Sequence, residues 1–241
     1  MNVNEIVRIV PTLKVNNRKL NERFYIETLG MKPLLEESAF LSLGDQTAKE
    51  RLILEEAPSM RTRRVEGLKK LARLLIKVEN PSEIEALLSQ MKSFPRLFKG
   101  NRGYAFEIVS PEEDVILVHA EDDIRDLVPL ETVPEFYSNT SIKYVSQFEV
   151  SMELRLPEGT ESLLDPEGVA PVITFTKGQG PDLAVENNVT WDLTMLKFLV
   201  KNFDLTSLRQ KFEKTGYFVP KSEKFFLGKD TNNIELWFEE A

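Results

Sequence analysis

Four stretches of alternating apolar and polar residues recur along the chain, and three of them run straight into a helical pattern. Alternation with period 2 marks a strand and spacing near 3.6 marks a helix, so each repeat reads as a strand–helix start. In the first, Ile9, Pro11, Leu13 and Val15 alternate with Arg8, Val10, Thr12 and Lys14. Asn17 stands where a helix cap belongs, Leu20, Phe24, Tyr25 and Leu29 share one side, and Gly30 supplies the stop. In the second, Leu74, Ile76 and Val78 alternate with Arg73, Leu75 and Lys77. Ser82 and Glu85 follow at capping-box spacing, and Ile84, Leu87, Leu88 and Met91 form the buried stripe. In the fourth, Leu196, Phe198 and Val200 alternate with Met195, Lys197 and Leu199, and Leu205, Leu208 and Phe212 make a helix face that ends at Gly216. The third is weaker. Met152, Leu154 and Leu156 alternate with Ser151, Glu153 and Arg155, but the glycines and prolines between Pro157 and Pro171 predict a loop or one short turn in place of a helix.

The stretch between the second and third repeats is acidic at first, holds Pro129 and Pro134, and keeps no period. Two modules on each side of it predict an α+β protein of two domains, residues 1–121 and 145–241, the second with a shortened first module, joined by a linker at 122–144. The linker carries Leu127, Val128, Phe136 and Tyr137, apolar residues suited to packing on a domain.

Composition narrows the chemistry. A net charge of −8 argues against nucleic acid, whose phosphates need a basic face. The local exception, Arg61-Thr62-Arg63-Arg64 with Lys69, Lys70 and Arg73 beyond it, reads as a solvated loop and strand edge. With no cysteine there is no disulfide framework, thiolate zinc site or cysteine nucleophile. Met1 to Val15 lacks the basic start, apolar core and cleavage site of a signal peptide, and no apolar run has the roughly 20 residues of a membrane helix. A cytoplasmic protein that does not enter a membrane is the expectation.

Pro11-Thr12-Leu13-Lys14-Val15, Phe24-Tyr25 and Leu29-Gly30-Met31 resemble the opening of a glyoxalase, or vicinal-oxygen-chelate, domain. Ser110-Pro111-Glu112-Glu113-Asp114-Val115-Ile116-Leu117 resembles that family's closing turn and last strand, and Asp230-Thr231-Asn232-Asn233-Ile234-Glu235-Leu236 resembles it more closely. The two-domain order and the run from Trp191 to Phe238 are similar to the streptococcal CppA family. The first resemblance implies tandem domains of βαβββ modules, paired so that a curled sheet forms a cup with helices outside. The second implies a proteinase that degrades complement C3, and so C3 as a partner.

The glyoxalase resemblance implies metal ligands (His, Gln or Glu) on the first and last strands of modules. The corresponding positions here are Val10, Arg73, Ser151 and Met195 on first strands, and near Leu54, Leu117, near Glu186 and Glu235 on last strands. Valine and leucine cannot coordinate and arginine repels a cation, while Glu235 and Glu186, two carboxylates without an imidazole, make a poor transition-metal site, so no metal and no cofactor are expected. Leu13, Ile76, Leu154 and Phe198 are expected under the helices. The alternate set should line the cups, giving Arg8, Arg73, Ser151, Glu186, Met195, Glu235 and Trp237 as candidate ligand contacts. Arg8 and Arg73, if they converge, would hold a carboxylate or phosphate.

Protease chemistry has little to build on. The single histidine rules out a His-Glu-x-x-His zinc site, and a serine triad would have to use His119, which sits on a strand in a chain with no Gly-x-Ser-x-Gly elbow. Asp230-Thr231-Asn232 lacks the glycine of an aspartic-protease loop and reads as a hairpin turn. The residues therefore favour a metal-free binding or interaction protein, monomeric because four modules share one chain, with an unidentified small molecule or protein as partner. The C3-degrading proteinase implied by resemblance and a metal-independent small-molecule enzyme using Glu235 as acid or base are the alternatives.

Overall fold

The computed structural model describes residues 4–241 apart from 59, 61, 92–94, 137–140 and 165. Arg61 of the basic run and Tyr137 of the linker therefore lie outside the described residues. The first module comprises β1 (Glu5–Val15), α1 (Arg18–Arg23), β2 (Lys32–Glu37), β3 (Phe40–Gly44) and β4 (Glu50–Glu56). The second comprises β5 (Leu71–Val78), α2 (Pro81–Gln90), β6 (Arg96–Lys99), β7 (Tyr104–Val109) and β8 (Val115–His119), followed by a short β9 (Val128–Pro129). The third keeps only β10 (Phe148–Pro157), the single-turn α3 (Pro166–Val169) and β11 (Ile173–Gly178). The fourth is complete, with β12 (Leu193–Lys201), α4 (Leu205–Lys211), β13 (Tyr217–Phe218), β14 (Phe225–Lys229) and β15 (Glu235–Glu240).

The modules do not pair as neighbours in sequence. One eight-stranded sheet runs β13-β14-β15-β12-β1-β4-β3-β2, and one seven-stranded sheet runs β11-β10-β5-β8-β7-β6-β9. The first module thus joins the fourth through antiparallel β1 and β12, and the second joins the third through antiparallel β5 and β10. This corrects the expectation that each half of the chain curls its own sheet. β1 lies inside its sheet, and Ile9 to Val15 are accordingly all buried, on both faces.

Leu13, Ile76, Leu154 and Phe198 are buried in one apolar cluster that draws on both sheets. Polar clamps tie the sheets together at its margins. Asp45, fully buried after β3, accepts from Arg51 Nε (3.1 Å) and from the backbone N–H of Phe148 (3.3 Å) at the start of β10. Arg51 reaches on to Glu149 of β10 at 2.5 Å. Asp192 accepts from the backbone N–H of Lys70 at 2.6 Å, of Leu71 at 3.2 Å and of Leu193 at 2.8 Å, fixing the entries of β5 and β12 together.

Local chemistry explains where the helices depart from expectation. Asn17 caps α1 by accepting from the Leu20 N–H (3.0 Å). The chain then passes into a π-helical turn, Phe24–Thr28, which rotates the face, so Asn21, Tyr25 and Leu29 are buried while Leu20 is exposed. α2 is capped by Asn80, whose side chain accepts from the Ser82 N–H (3.2 Å) with Pro81 at the first helical position, not by Ser82. Glu83 turns instead to Ser146, accepting from its N–H and hydroxyl.

The basic run is structural. Arg63 grips Asp182 with two nitrogens, each at 2.7 Å, Arg64 pairs with Glu113, and Lys69 pairs with Asp114. Lys70 is buried and donates to the Val185 carbonyl (2.7 Å). Part of the expected linker packs on the second sheet, where β9 pairs with β6 and Ile124 and Leu127 cover a small apolar cluster of Leu75, Phe98, Ala105 and Leu117.

Candidate functional sites in the two cups

Strand register decides which side chains meet on a sheet face, because residues opposite one another point the same way. Across the middle of the first sheet Glu235 lies opposite Met195, Met195 opposite Thr12, and Thr12 opposite Ile53. The position aligned with Met195 is therefore Thr12 rather than Val10, and on β4 it is Ile53 rather than Leu54. The next row holds Trp237, Lys197 and Val10.

Ile53, Met195, Lys197 and Trp237 of these rows line a cavity of about 470 Å³, with Leu35 and Phe40 among its other walls. Trp237 is held flat against Phe225, ring centroids 3.8 Å apart, and its indole N–H donates to Glu239 at 2.9 Å. Lys197 sits between Glu50 (3.2 Å) and Glu239 (3.0 Å). Burial works to lower the Lys197 pKa, but the Glu239 hydrogen bond and the two carboxylate charges outweigh it and raise it above the ordinary lysine value. A side chamber of about 210 Å³ continues past Met195 to Glu235 and Thr194, beside the Lys14–Glu55 ion pair (3.3 Å).

A metal ion does not fit this floor. The central row offers one carboxylate among a threonine, an isoleucine and a methionine, where metal sites of this kind take about three protein ligands. Among the described residues no group of three or more His, Cys, Asp or Glu side chains is placed to hold one.

The second sheet forms its own cup. His119 lies opposite Lys77 and Lys77 opposite Glu149; in the next row Leu117 lies opposite Leu75 and Leu75 opposite Ser151. The cavity above them is again about 470 Å³. Arg73 is taken up by Glu153 (2.6 Å) and Glu107 (3.9 Å). His119 is 5% exposed and its Nδ1 has no hydrogen-bond partner. Burial, reinforced by the charges of Lys77 and Arg73, outweighs the opposing pull of the Glu121 backbone and pushes its pKa down to about 4. Among the described residues no serine hydroxyl is hydrogen-bonded to either ring nitrogen, so no Ser–His couple is formed there.

The structure gathers Met195, Glu235 and Trp237 in the first cup and Ser151 in the second, whereas Arg73 lies opposite Glu153 on the second sheet without lining its cavity. Arg8, on β1, reaches the Glu50 carbonyl (3.4 Å) at the rim of the first cup and does not converge with Arg73 on β5 of the other sheet. Glu186 is off the strands, exposed and paired with Lys229. Lys197 and His119 belong among the cup residues, and sequence reasoning does not single them out as ligand contacts. Alternation with Phe198 is the available signal for Lys197, whereas His119 enters its cup only through the β8–β5 register.

The family model for the CppA N-terminal region matches residues 8–130, and that for the CppA C-terminal region matches residues 145–238. The crystal structure of the cppA protein from Streptococcus pneumoniae TIGR4 is similar at 67% identity, with each chain covered over 100% and a TM-score of 0.95. More distant similarity extends to a candidate dioxygenase from Bacillus subtilis subsp. subtilis str. 168, at 13% identity over 99% of this chain and 86% of that one, TM-score 0.58. It extends equally to glyoxalase I from Zea mays, at 10% identity over 97% of this chain and 92% of that one, TM-score 0.53. Both show the glyoxalase-type fold. None of the curated proteins compared matches the chain. Matched by family models across both halves and by a full-length relative at 67% identity, the chain belongs to the CppA family.

Proposed function

We propose that the protein is a metal-free binding protein of the glyoxalase fold whose first cup takes an apolar, ring-bearing small molecule. The observation that carries this reading is the lining of that cup, where Met195 and Ile53 share the cavity with a Trp237 ring fixed by Phe225. Apolar and aromatic walls with a few placed polar groups are the usual make-up of a ligand pocket. Trp237 supplies a flat face for stacking, and Ser42, Glu50 and Lys197 supply the polar edge.

N-phenyl-1-naphthylamine, an uncharged aromatic probe, tests it. The probe should brighten saturably with the protein, and both Trp237→Ala and Met195→Glu should weaken binding by roughly tenfold or more, about 1.4 kcal/mol. Saturable binding indifferent to both substitutions, or no binding, would remove the first cup as the site.

The proteinase reading meets its own test in purified protein incubated with complement C3. The binding reading expects C3 to stay intact. Cleavage that disappears with His119→Ala would instead support a catalytic histidine.

A further inference from the structure

We infer that the molecule taken by the first cup is an arylalkyl amine, its ring beside Trp237 in the main cavity and its ammonium on Glu235 in the side chamber. The place of the ring rests on the function proposed above for that cup; the ammonium and its anchor are new.

Phe40 and Met195 line both spaces, so the side chamber of about 210 Å³ opens off the main cavity. Along β15, Leu236 and Phe238 are buried in the apolar core. Alternation therefore turns Glu235 to the opposite face together with Trp237, which lines the cavity. Glu235 is half-buried and lines the chamber. Among the described residues nothing bonds to or pairs with its carboxylate, and its oxygens are not among the unpartnered atoms closed off from solvent, so they stay open to whatever enters.

The neighbouring charges are already matched. Lys14 pairs with Glu55 at 3.3 Å, and Lys197 sits between Glu50 and Glu239. Lys229, opposite Glu235 across β14 and β15, pairs with Glu186. The Thr194 hydroxyl is taken up by the Thr12 carbonyl and Glu55, each at 3.3 Å. An anion thus finds no unpaired cation among the described residues lining either space, whereas an ammonium finds an unpaired carboxylate. Such a contact is a charge-assisted hydrogen bond, stronger than the one a neutral hydroxyl would make there. Glu235 and Trp237 are two residues apart on one strand, about 7 Å, a gap that a two-carbon arm between ring and nitrogen bridges.

Isothermal titration calorimetry compares three probes that share an indole ring and a two-carbon arm: tryptamine, a cation; tryptophol, neutral; and indole-3-propionate, an anion. Tryptamine should bind roughly three- to tenfold more tightly than tryptophol, the advantage of a charged donor at a half-buried carboxylate, and indole-3-propionate should bind most weakly. Added salt should shrink the advantage. Glu235→Gln, which keeps the shape and removes the charge, should erase it. Tryptophol matching tryptamine on the wild-type protein would overturn the assignment without recourse to any variant. So would indole-3-propionate binding most tightly, or a tryptamine advantage that survives Glu235→Gln. If N-phenyl-1-naphthylamine still binds saturably and through Trp237, such a result removes the amine alone. If neither that probe nor any of the indoles binds, the amine falls together with the proposed site.

Discussion

Replacing Asp45 by alanine should be among the most damaging single changes outside the hydrophobic core. Its carboxylate is fully buried and accepts hydrogen bonds from the Thr47 N–H (2.9 Å), the Phe148 N–H (3.3 Å) and Arg51 Nε (3.1 Å). Arg51 is itself only 3% exposed, so Asp45→Ala strands a guanidinium away from water with Glu149, on the rim, as its remaining carboxylate. Breaking a buried pair by removing one partner costs about 3–5 kcal/mol. At roughly 2–4 °C per kcal/mol for a chain of this size, the midpoint of thermal unfolding should fall by roughly 6–20 °C. Differential scanning calorimetry of wild type and variant measures it. Because the cost comes from the orphaned charge, Asp45→Ala combined with Arg51→Met should recover much of the loss, since an apolar replacement for both partners is often nearly neutral. A midpoint within about 2 °C of wild type, less than the smallest loss expected from breaking the pair, would refute the clamp between the sheets. So would a double variant that loses the sum of the two single losses.

The same aspartate predicts a pH dependence. Burial pushes its pKa up, but the hydrogen bonds from Thr47 and Phe148 and the Arg51 charge outweigh it and hold it below the ordinary value. That stabilisation is present above the unfolded aspartate pKa near 3.9 and disappears as pH falls through the folded one, so acid unfolding should be less steep in Asp45→Asn, read by urea titration at successive pH values. His119, depressed to about 4, binds its proton more readily in the unfolded chain, so its share of stability is intact above about 6.5 and is lost as pH falls towards 4. The wild type should therefore lose about 2 kcal/mol more than His119→Asn between pH 7 and pH 5 in guanidinium titrations. Gly228→Ala would place a Cβ 2.6 Å from the buried Phe212 ring, and chemical denaturation should show a loss of about 1–3 kcal/mol from overpacking.

Much of this architecture is written into local pattern. Alternation assigns Leu13, Ile76, Leu154 and Phe198 to the core, and the positive φ of Gly30 marks a helix end visible as a glycine in the sequence, whereas α4 ends at Lys211, before the expected stop at Gly216. What alternation does not carry is the neighbour of each strand. Nothing local to Ile9 says that it will face Phe198 across β1 and β12, and the assignment of Arg8 and Arg73 to different sheets follows from that long-range pairing alone. The same limit applies to Arg63, whose partner Asp182 lies far along the chain, so a run of basic residues that looks solvated turns out to be an anchor. Asn80 outcompetes Ser82 as a cap because Pro81 fits the first helical position, where its missing N–H costs nothing. His119 reads from sequence as a strand-end residue, and only the register against Lys77 turns it into the cup.

The most direct test of the metal-free reading is native mass spectrometry with elemental analysis on protein purified without chelator or histidine tag. The account predicts the mass of the polypeptide, with or without a small organic ligand, and no stoichiometric divalent metal. One equivalent of metal that survives dialysis and is lost in Glu235→Ala would contradict it and return the first cup to metal chemistry.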